Sequence, residues 1–146
     1  MREILFRGQT RRLGEKVRMN GEKVPSNWVY GGICQGKCDF SIIYGSMDME
    51  LEQPTEKRLV YTDTIGQYTG LTDKNGKKIF EGDIVKYGDT INKVVFEQRN
   101  GTAYFGVVMD DTETWSFCHL TSAEGMEVIG NIHDNPELLE RSGNNE

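Results

Sequence analysis

The fold is decided by the stretch IFEGDIVKY at residues 79–87. Its apolar pattern is interrupted by Glu81, Gly82 and Asp83, which are residue types that favour a tight turn, and a β-prone run begins at Ile84. In such a turn the glycine lies where the backbone reverses direction, and the aspartate side chain accepts hydrogen bonds from nearby amides. We therefore predict that this stretch forms a turn and the first strand of a small β-barrel.

Further short strands are predicted after this stretch, at residues 91–98, 103–109, 115–120 and 126–132. Their even spacing and brief connections are typical of a small barrel. Asn-Gly pairs, which tolerate positive φ, predict hairpin tips at residues 20–21, 75–76 and 100–101. Residues 134–141 combine an Asx residue, Pro136 and an early glutamate, and they predict one short C-terminal helix.

The N-terminal part of the chain also has the periodicity of strands. FSIIY at residues 40–44 is β-prone, and Gly45 and Ser46 favour a kink after it. Apolar residues alternate with acidic ones over residues 47–52, which predicts one half-buried strand there. The sequence as a whole therefore predicts a mainly β protein.

Length and composition bound the class of protein. The 146 residues suit one domain, or one domain with an extension. No apolar run approaches the about 20 residues of a membrane span, and the N-terminus has no export signal, so we expect a cytoplasmic protein without a membrane partner. Three cysteines, an odd number, argue against a disulfide framework.

The charge is unevenly distributed along the chain. Residues 1–30 contain seven Lys or Arg and three Glu, a net charge of +4, so the rest of the chain carries −10 and the total is −6. Domains that bind duplex nucleic acid usually carry net positive charge, because neutralising phosphates dominates their affinity. Only the N-terminal segment meets that condition, and the acidic C-terminal half does not support nucleic acid as a partner.

Metal binding is weakly indicated. Cys34 and Cys38 have a spacing found in zinc-ligand loops, and Cys118, His119 and His133 are the other candidate ligands. Cys118 and His119 are adjacent on a predicted strand, where they point to opposite faces and cannot both reach one ion without a bulge. We predict free thiols, no metal and no cofactor.

Catalytic residues are also not indicated. Neither histidine lies in a motif with a Ser or Cys nucleophile. Neighbouring carboxylates such as Glu81 with Asp83, or Asp110 with Asp111, identify turns as readily as acid–base pairs. We predict a protein that is not an enzyme.

Four segments together resemble the YopX family. They are IGQYTGLTDKNGKKIFEGDIV at residues 65–85, REILFR at 2–7, WVYG at 28–31 and EVIGNIHDNPEL at 127–138. The resemblance implies a protein encoded by bacteriophages and prophages, with an SH3-like barrel in its C-terminal half, and it implies no particular activity. The family-signature residues, to which we assign structural roles, are Gly66, Tyr68, Thr69, Gly70, Asp73, Asn75, Gly76, Gly82 and Asp83.

With this resemblance, the predicted architecture has three parts. Residues 1–62 form a partly basic N-terminal β-strand or hairpin extension, residues 63–141 form the SH3-like barrel that carries the family signature, and residues 142–146 form a frayed tail. An extension with little core of its own exposes strand edges that invite pairing. We therefore expect self-association into a homo-oligomer.

The function predicted from the sequence is that of a non-catalytic binding or interaction module in the bacterial host's cytoplasm, with a host or phage protein as partner. The alternative is single-stranded nucleic-acid binding, because barrel-type binders place exposed aromatics over a basic groove. Its candidate residues are Arg7, Arg11, Arg12, Lys16, Arg18, Tyr30 and Tyr68. A third hypothesis is that an acidic surface of the protein resembles nucleic acid and binds a host protein in its place.

Overall fold

The computed structural model describes residues 3–10, 28–45, 47–48, 50–51, 53–54, 57–108, 114–116 and 125–143. The hairpin tip predicted at residues 20–21 and most of the strand predicted at 115–120 lie outside them. No helix in these ranges is long and apolar enough to cross a membrane.

The described chain is mainly β, as the sequence predicts, and every strand pairing in it is antiparallel. The strands are β1 (Phe6–Gln9), β2 (Trp28–Cys34), β3 (Phe40–Tyr44), β4 (Met47–Asp48), β5 (Gln53–Pro54), β6 (Lys57–Tyr61), β7 (Gly66–Thr72), β8 (Lys78–Phe80), β9 (Asp83–Tyr87), β10 (Thr90–Arg99), β11 (Thr102–Val108), β12 (Thr114–Ser116) and β13 (Met126–Asn131). A 3-10 helix at Thr62–Thr64 precedes β7, and helix α1 (Glu137–Gly143) follows β13.

The chain divides into two compact units, Met1–Gln67 and Tyr68–Glu146. The division falls inside β7, which pairs with β1 in the first unit and with β8 in the second. The boundary predicted after residue 62 lies in the 3-10 helix just before β7.

The first unit contains strands in the order β6-β3-β2-β1-β7, and the pairing partner changes within β2. The first half of β2, through Gly31, pairs with β1, and its second half, from Gly32, pairs with β3. Where the partner changes, a Cβ on Gly31 would collide with the carbonyl oxygen of Tyr44. The close approach of β2 to β3 at this point therefore depends on the absence of a side chain at residue 31.

The first unit has buried residues of its own. Ile43 and Val60 are fully buried, and Val60 packs on Gly8 of β1, where a Cβ would lie 2.8 Å from a Val60 methyl carbon. Ser41 is buried on the same face of β3 as Ile43, and its hydroxyl lies 2.8 Å from that of Thr62. These contacts hold β1, β3 and β6 together around one small interior.

The single strand predicted over residues 47–52 is wrong. β4 and β5 pair with each other as a short hairpin, Glu50 and Leu51 form part of its turn, and Leu51 is 65% exposed. Alternation of apolar and acidic residues fits a half-buried strand only when another strand pairs along its length. Here the segment folds back on itself instead, so no single strand runs through residues 47–52.

The second unit contains a five-stranded sheet in the order β12-β11-β10-β9-β13. Its core consists of Ile79, Val85, Val94, Val107 and Met126, with Tyr87 and Val128 packed against it. β10 pairs with β9 through residues 90–93 and with β11 through residues 94–99. None of the described pairings joins β12 to β13, so the SH3-like barrel stays a prediction.

Three local predictions in this unit are confirmed. Asn100 and Gly101, both at positive φ, form a two-residue turn between β10 and β11. The Asn75-Gly76 pair lies in the connection between β7 and β8. The C-terminal helix is present as α1. Just before it, the Asn135 side chain accepts a hydrogen bond from the Asn131 amide of β13 at 3.3 Å.

Replacing Gly31 with alanine tests the close approach of β2 to Tyr44. We expect G31A to lower the free energy of unfolding by about 2 kcal/mol or more, because the added methyl meets backbone that cannot rotate away. Gly32→Ala is the matched control, since a Cβ at the neighbouring glycine meets no atom within 4 Å. Urea unfolding of both variants would contradict the assignment if the two losses were equal.

Candidate functional site

The side chain of Asp73, a residue of the family signature between β7 and β8, accepts three backbone hydrogen bonds. It is buried, and its Oδ1 accepts hydrogen bonds from the amides of Asn75 and Lys77, each at 2.9 Å. Its Oδ2 accepts from the amide of Val128 in β13, also at 2.9 Å. One carboxylate thus closes its own turn and joins that turn to a strand distant in sequence.

The environment of Asp73 favours the charged carboxylate. Burial raises the pKa of Asp73, whereas the amides of Val128, Lys77 and Asn75 and the charge of Lys77 lower it. The lowering contributions prevail, so the pKa lies below its ordinary value of 3.8. Amides that donate to the charged form have this effect because they bind the carboxylate more strongly than the neutral acid, whose oxygens are weaker acceptors.

Backbone contacts reinforce the same junction. The Lys74 amide donates to the Met126 carbonyl at 2.9 Å, and the Asp73 amide donates to the Lys77 carbonyl at 2.8 Å. Lys74 Nζ lies 3.5 Å from a Glu127 carboxylate oxygen, but both side chains are substantially exposed, so this ion pair adds little stability. The turn is therefore fixed to β13 mainly by the Asp73 carboxylate and the backbone.

The turn at Glu81-Gly82-Asp83 is a second junction. Asp83 is buried, and its Oδ2 accepts from the Phe80 amide at 2.7 Å, which closes the turn before β9. The Gly82 amide donates to the Val94 carbonyl and its carbonyl accepts from the Ile132 amide, each at 2.9 Å. Gly82 has a φ of +91°, a conformation that side chains disfavour, which explains the glycine.

β7 carries an irregularity at the signature residues Thr69 and Gly70. The pairing register between β7 and β8 shifts between Tyr68 and Thr72, so the ladder is irregular there. The Thr69 hydroxyl donates to the Ile79 carbonyl at 2.8 Å and accepts from the Leu71 amide at 3.2 Å. The threonine side chain thus supplies hydrogen bonds where the ladder is interrupted.

The closing segment after β13 is also fastened by side chains. Asn131 Oδ1 accepts from the amides of His133 and Asp134 at 3.0 and 2.9 Å, and its Nδ2 donates to Asp134 at 3.1 Å. Across the second unit, the polar side chains of Thr69, Asp73, Asp83 and Asn131 bind backbone groups. Each of them stabilises a turn or an irregular stretch of strand by hydrogen bonds to the backbone, and we call such a side chain a brace.

The residues predicted to bind nucleic acid do not form one described surface. Arg7 is buried in β1, and its guanidinium carbon lies 4.7 Å from the centroid of the Trp28 ring. This burial favours a structural cation–π contact over a phosphate contact. Arg11, Arg12, Lys16 and Arg18 lie outside the described residues.

The two predicted aromatic residues have different environments. Tyr30 stands opposite Arg7 in the β1–β2 register and is 51% exposed. Tyr68 is half-buried in the second unit, where its ring lies 5.6 Å from that of Phe80 and Lys78 Nζ lies 5.6 Å from its centroid. Tyr30 is thus an accessible aromatic, whereas Tyr68 is held between neighbours.

Three of the candidate metal ligands, Cys34, Cys38 and His133, lie in the described part of the chain. Cys34 and Cys38 are exposed free thiols, and the Cys38 thiol lies 3.5 Å from the Phe40 carbonyl oxygen. Cys118 and His119 lie outside the described residues. No group of three metal-ligating side chains occurs within the described ranges.

A row of apolar side chains, two of them exposed and three half-buried, lies on β3 and β6 of the first unit. We call it the aromatic face, and it consists of Phe40, Ile42, Tyr44, Leu59 and Tyr61. These residues share one side of the sheet because Phe40 stands opposite Tyr61 and Ile42 opposite Leu59. Phe40 is 40% exposed and Leu59 is 57% exposed, and the rings of Phe40 and Tyr61 are 5.1 Å apart.

Comparison with known proteins identifies the family. The family model described as YopX protein matches residues 21–140. The chain belongs to the YopX family. The crystal structure of protein EF1440 from Enterococcus faecalis is similar at 24% identity, covering 95% of this chain and 99% of that chain with a TM-score of 0.42. No curated protein matches the sequence.

Sequence reasoning missed the aromatic face of this YopX protein. The signal was present in FSIIY at residues 40–44, where residues on both sides of the strand are apolar, and in the LVY that ends β6. A strand that buries one face needs apolar residues on that face alone. The buried side of the β3–β6 pair carries Ile43 and Val60. The apolar residues on the other side of these strands therefore indicated an apolar surface.

Replacing Asp73 with asparagine tests the central brace of the YopX signature. We expect D73N to lower the free energy of unfolding at pH 7 by about 1–3 kcal/mol, because the Asn amide group would face the Val128 N–H, leaving that donor without an acceptor. Asp89→Asn is the control, since Asp89 is exposed in the turn between β9 and β10.

The same pair of variants has a defined pH dependence. Because folding lowers the pKa of Asp73, its stabilisation is present above the unfolded-state value of about 3.9 and is lost as the pH falls through the folded-state value. The stability difference between wild type and D73N should therefore shrink below pH 4. Urea unfolding between pH 7 and pH 3 measures it, and a difference that is constant across this range would contradict the brace.

Proposed function

We propose that this YopX protein is a non-catalytic phage or prophage accessory protein that acts as an interaction module in the cytoplasm of a bacterial host. Its partner would be a host or phage protein that covers the aromatic face. The observation that carries the proposal is the exposure of Phe40 and Leu59 on a strand face of the first unit.

The aromatic face has the chemistry of a protein contact. Fully burying a side chain such as Leu or Phe is favourable by roughly 1.5–3 kcal/mol, and the part of this gain that corresponds to the exposed fractions of Phe40 and Leu59 is unrealised in the free protein. Contiguous exposed apolar residues on a soluble protein commonly mark interaction sites. The Phe40–Tyr61 pair also presents aromatic groups of the kind that dominate binding energy at protein interfaces.

The family signature supports a role without catalysis. A general acid or base works best with a pKa near the operating pH, whereas the pKa of Asp73 is lowered away from it. Asp73 and Asp83 both use carboxylate oxygens to accept backbone amides. Side chains engaged in this way hold turns, and the proposal assigns the signature to stability.

We further propose that the second unit is an SH3-like barrel. β10 pairs with β9 through residues 90–93 and with β11 through residues 94–99. A strand that changes partner in this way links two parts of a coiled sheet. The turn at Glu81-Gly82 before β9 and the two-residue turn at Asn100-Gly101 give the compact connections that a small barrel needs.

Single-stranded nucleic-acid binding remains the second candidate function. The observation that favours it is Tyr30, whose side chain is 51% exposed on the face of β2 that also carries Trp28. An exposed ring can stack on a base, and lysines and arginines of the N-terminal segment would supply the charge.

Photo-crosslinking tests the interaction role. A benzophenone amino acid at Phe40 should form a discrete adduct with one non-identical protein in phage-infected host cells. Phe96 is the matched control, because it is a 44% exposed aromatic whose ring lies 5.1 Å from that of Phe105. Equal adducts from both positions, or none from Phe40, would argue against the aromatic face as the contact.

Oligonucleotide retention tests the nucleic-acid alternative. Binding should be strong at low salt, should weaken steeply as salt rises, and should be reduced by Arg11→Ala combined with Arg12→Ala. Fluorescence anisotropy with a labelled single strand measures it, and the acidic control substitution Asp89→Asn should not reduce binding. Absence of binding at low salt would remove this candidate.

A further inference from the structure

The strand β6 ends the sheet of the first unit. Among the described residues it pairs with β3 alone, with Phe40 opposite Tyr61 and Tyr44 opposite Lys57. Its other side is an edge of the sheet that the described residues form, and Leu59 at its middle is 57% exposed. Such edges are templates for pairing with another strand.

The hydrogen-bonding phase of β6 follows from one bond just beyond it. The Thr62 amide donates to the Asp39 carbonyl at 2.8 Å, so these residues form a hydrogen-bonded pair of the antiparallel ladder. Hydrogen-bonded and non-hydrogen-bonded pairs alternate along such a ladder. The backbone N–H and C=O groups of Leu59, three residues earlier, therefore point away from β3 and toward the edge.

We propose that two copies of this chain associate edge to edge through β6, antiparallel about a two-fold axis that passes beside Leu59. In this arrangement each Leu59 amide donates to the Leu59 carbonyl of the second copy. An isologous contact of this kind uses the same patch on both copies and closes as a dimer.

The register about Leu59 suits the residues of β6. It is the two-fold register that pairs all five residues of Lys57–Tyr61. Lys57 then stands opposite Tyr61 of the second copy, and Arg58 opposite its Val60, so no basic residue faces another. A lysine beside a tyrosine ring can also make a cation–π contact.

Neighbouring two-fold registers are less favourable. Moving the axis to Arg58 or Lys57 places identical positive charges directly opposite each other, which is destabilising. Moving it toward Tyr61 runs the strand into the 3-10 helix at Thr62–Thr64. Lys57 and Arg58 thus discourage the other two-fold registers but permit the one centred on Leu59.

The contact is centred on Leu59 rather than on the end of the strand. The Tyr61 carbonyl already accepts a hydrogen bond from the Thr64 hydroxyl at 2.6 Å, and that hydroxyl accepts one from the Gln9 amide at 2.9 Å. Pairing joins the two aromatic faces side by side, because Leu59 and Tyr61 share their face with Phe40. The result is a wider apolar face with Leu59 at its middle.

This inference is independent of the proposed function, because a dimer forms whether or not another protein is bound. Its test uses the full chain in light scattering combined with size exclusion. Wild type should be a dimer at micromolar concentration, and Leu59→Lys, which places two lysines on the axis, should raise the dissociation constant by at least about tenfold.

Ile4→Lys is the matched control, because Ile4 lies in the same unit and is 59% exposed. We expect I4K to keep the wild-type dimer. A monomeric wild type, or equal dissociation constants for L59K and I4K, would overturn the proposal.

Hydrogen exchange gives a second measurement that does not depend on how L59K folds. The Leu59 amide of the wild type should become at least about tenfold more protected as the concentration rises through the dissociation constant, whereas the Thr62 amide, bonded to Asp39, should not change. Protection of Leu59 that is independent of concentration would overturn the edge contact.

Discussion

The structure of the second unit depends on the Asp73 carboxylate and the three amides that donate to it. Two of these amides belong to the turn between β7 and β8, and the third belongs to Val128 in β13. A buried carboxylate is costly unless its lone pairs are satisfied, and here backbone donors satisfy them. The bond from Val128 joins the turn between β7 and β8 to β13, and the segment fastened by Asn131 follows that strand.

Much of the second unit could be predicted from the sequence because its determinants are local. The Glu81-Gly82-Asp83 turn and the Asn100-Gly101 hairpin depend on φ angles and hydrogen bonds within a few residues, and both are present. The bond from Val128 to Asp73 links residues far apart in sequence, and no local pattern specifies it. The signature could therefore be recognised as structural in kind, while its long-range partner could not.

The first unit shows where sequence reasoning fails for physical reasons. Residues 47–52 have the alternation of a strand but fold back as a hairpin, since alternation does not specify a partner strand. Arg7 has the charge of a nucleic-acid contact but is buried beside Trp28. The aromatic face arises only when β3 and β6 pair in register, because that pairing places Phe40 beside Tyr61 and Ile42 beside Leu59.

In this YopX protein, polar signature residues stabilise the turns of the second unit. On the first unit, the apolar residues Phe40 and Leu59 are exposed. The most direct test is an NMR titration that follows the Asp73 carboxyl carbon and the Val128 amide proton together. The account predicts one shared transition, with a pKa below the ordinary 3.8. A transition at or above that value, or a Val128 amide that does not respond, would contradict it.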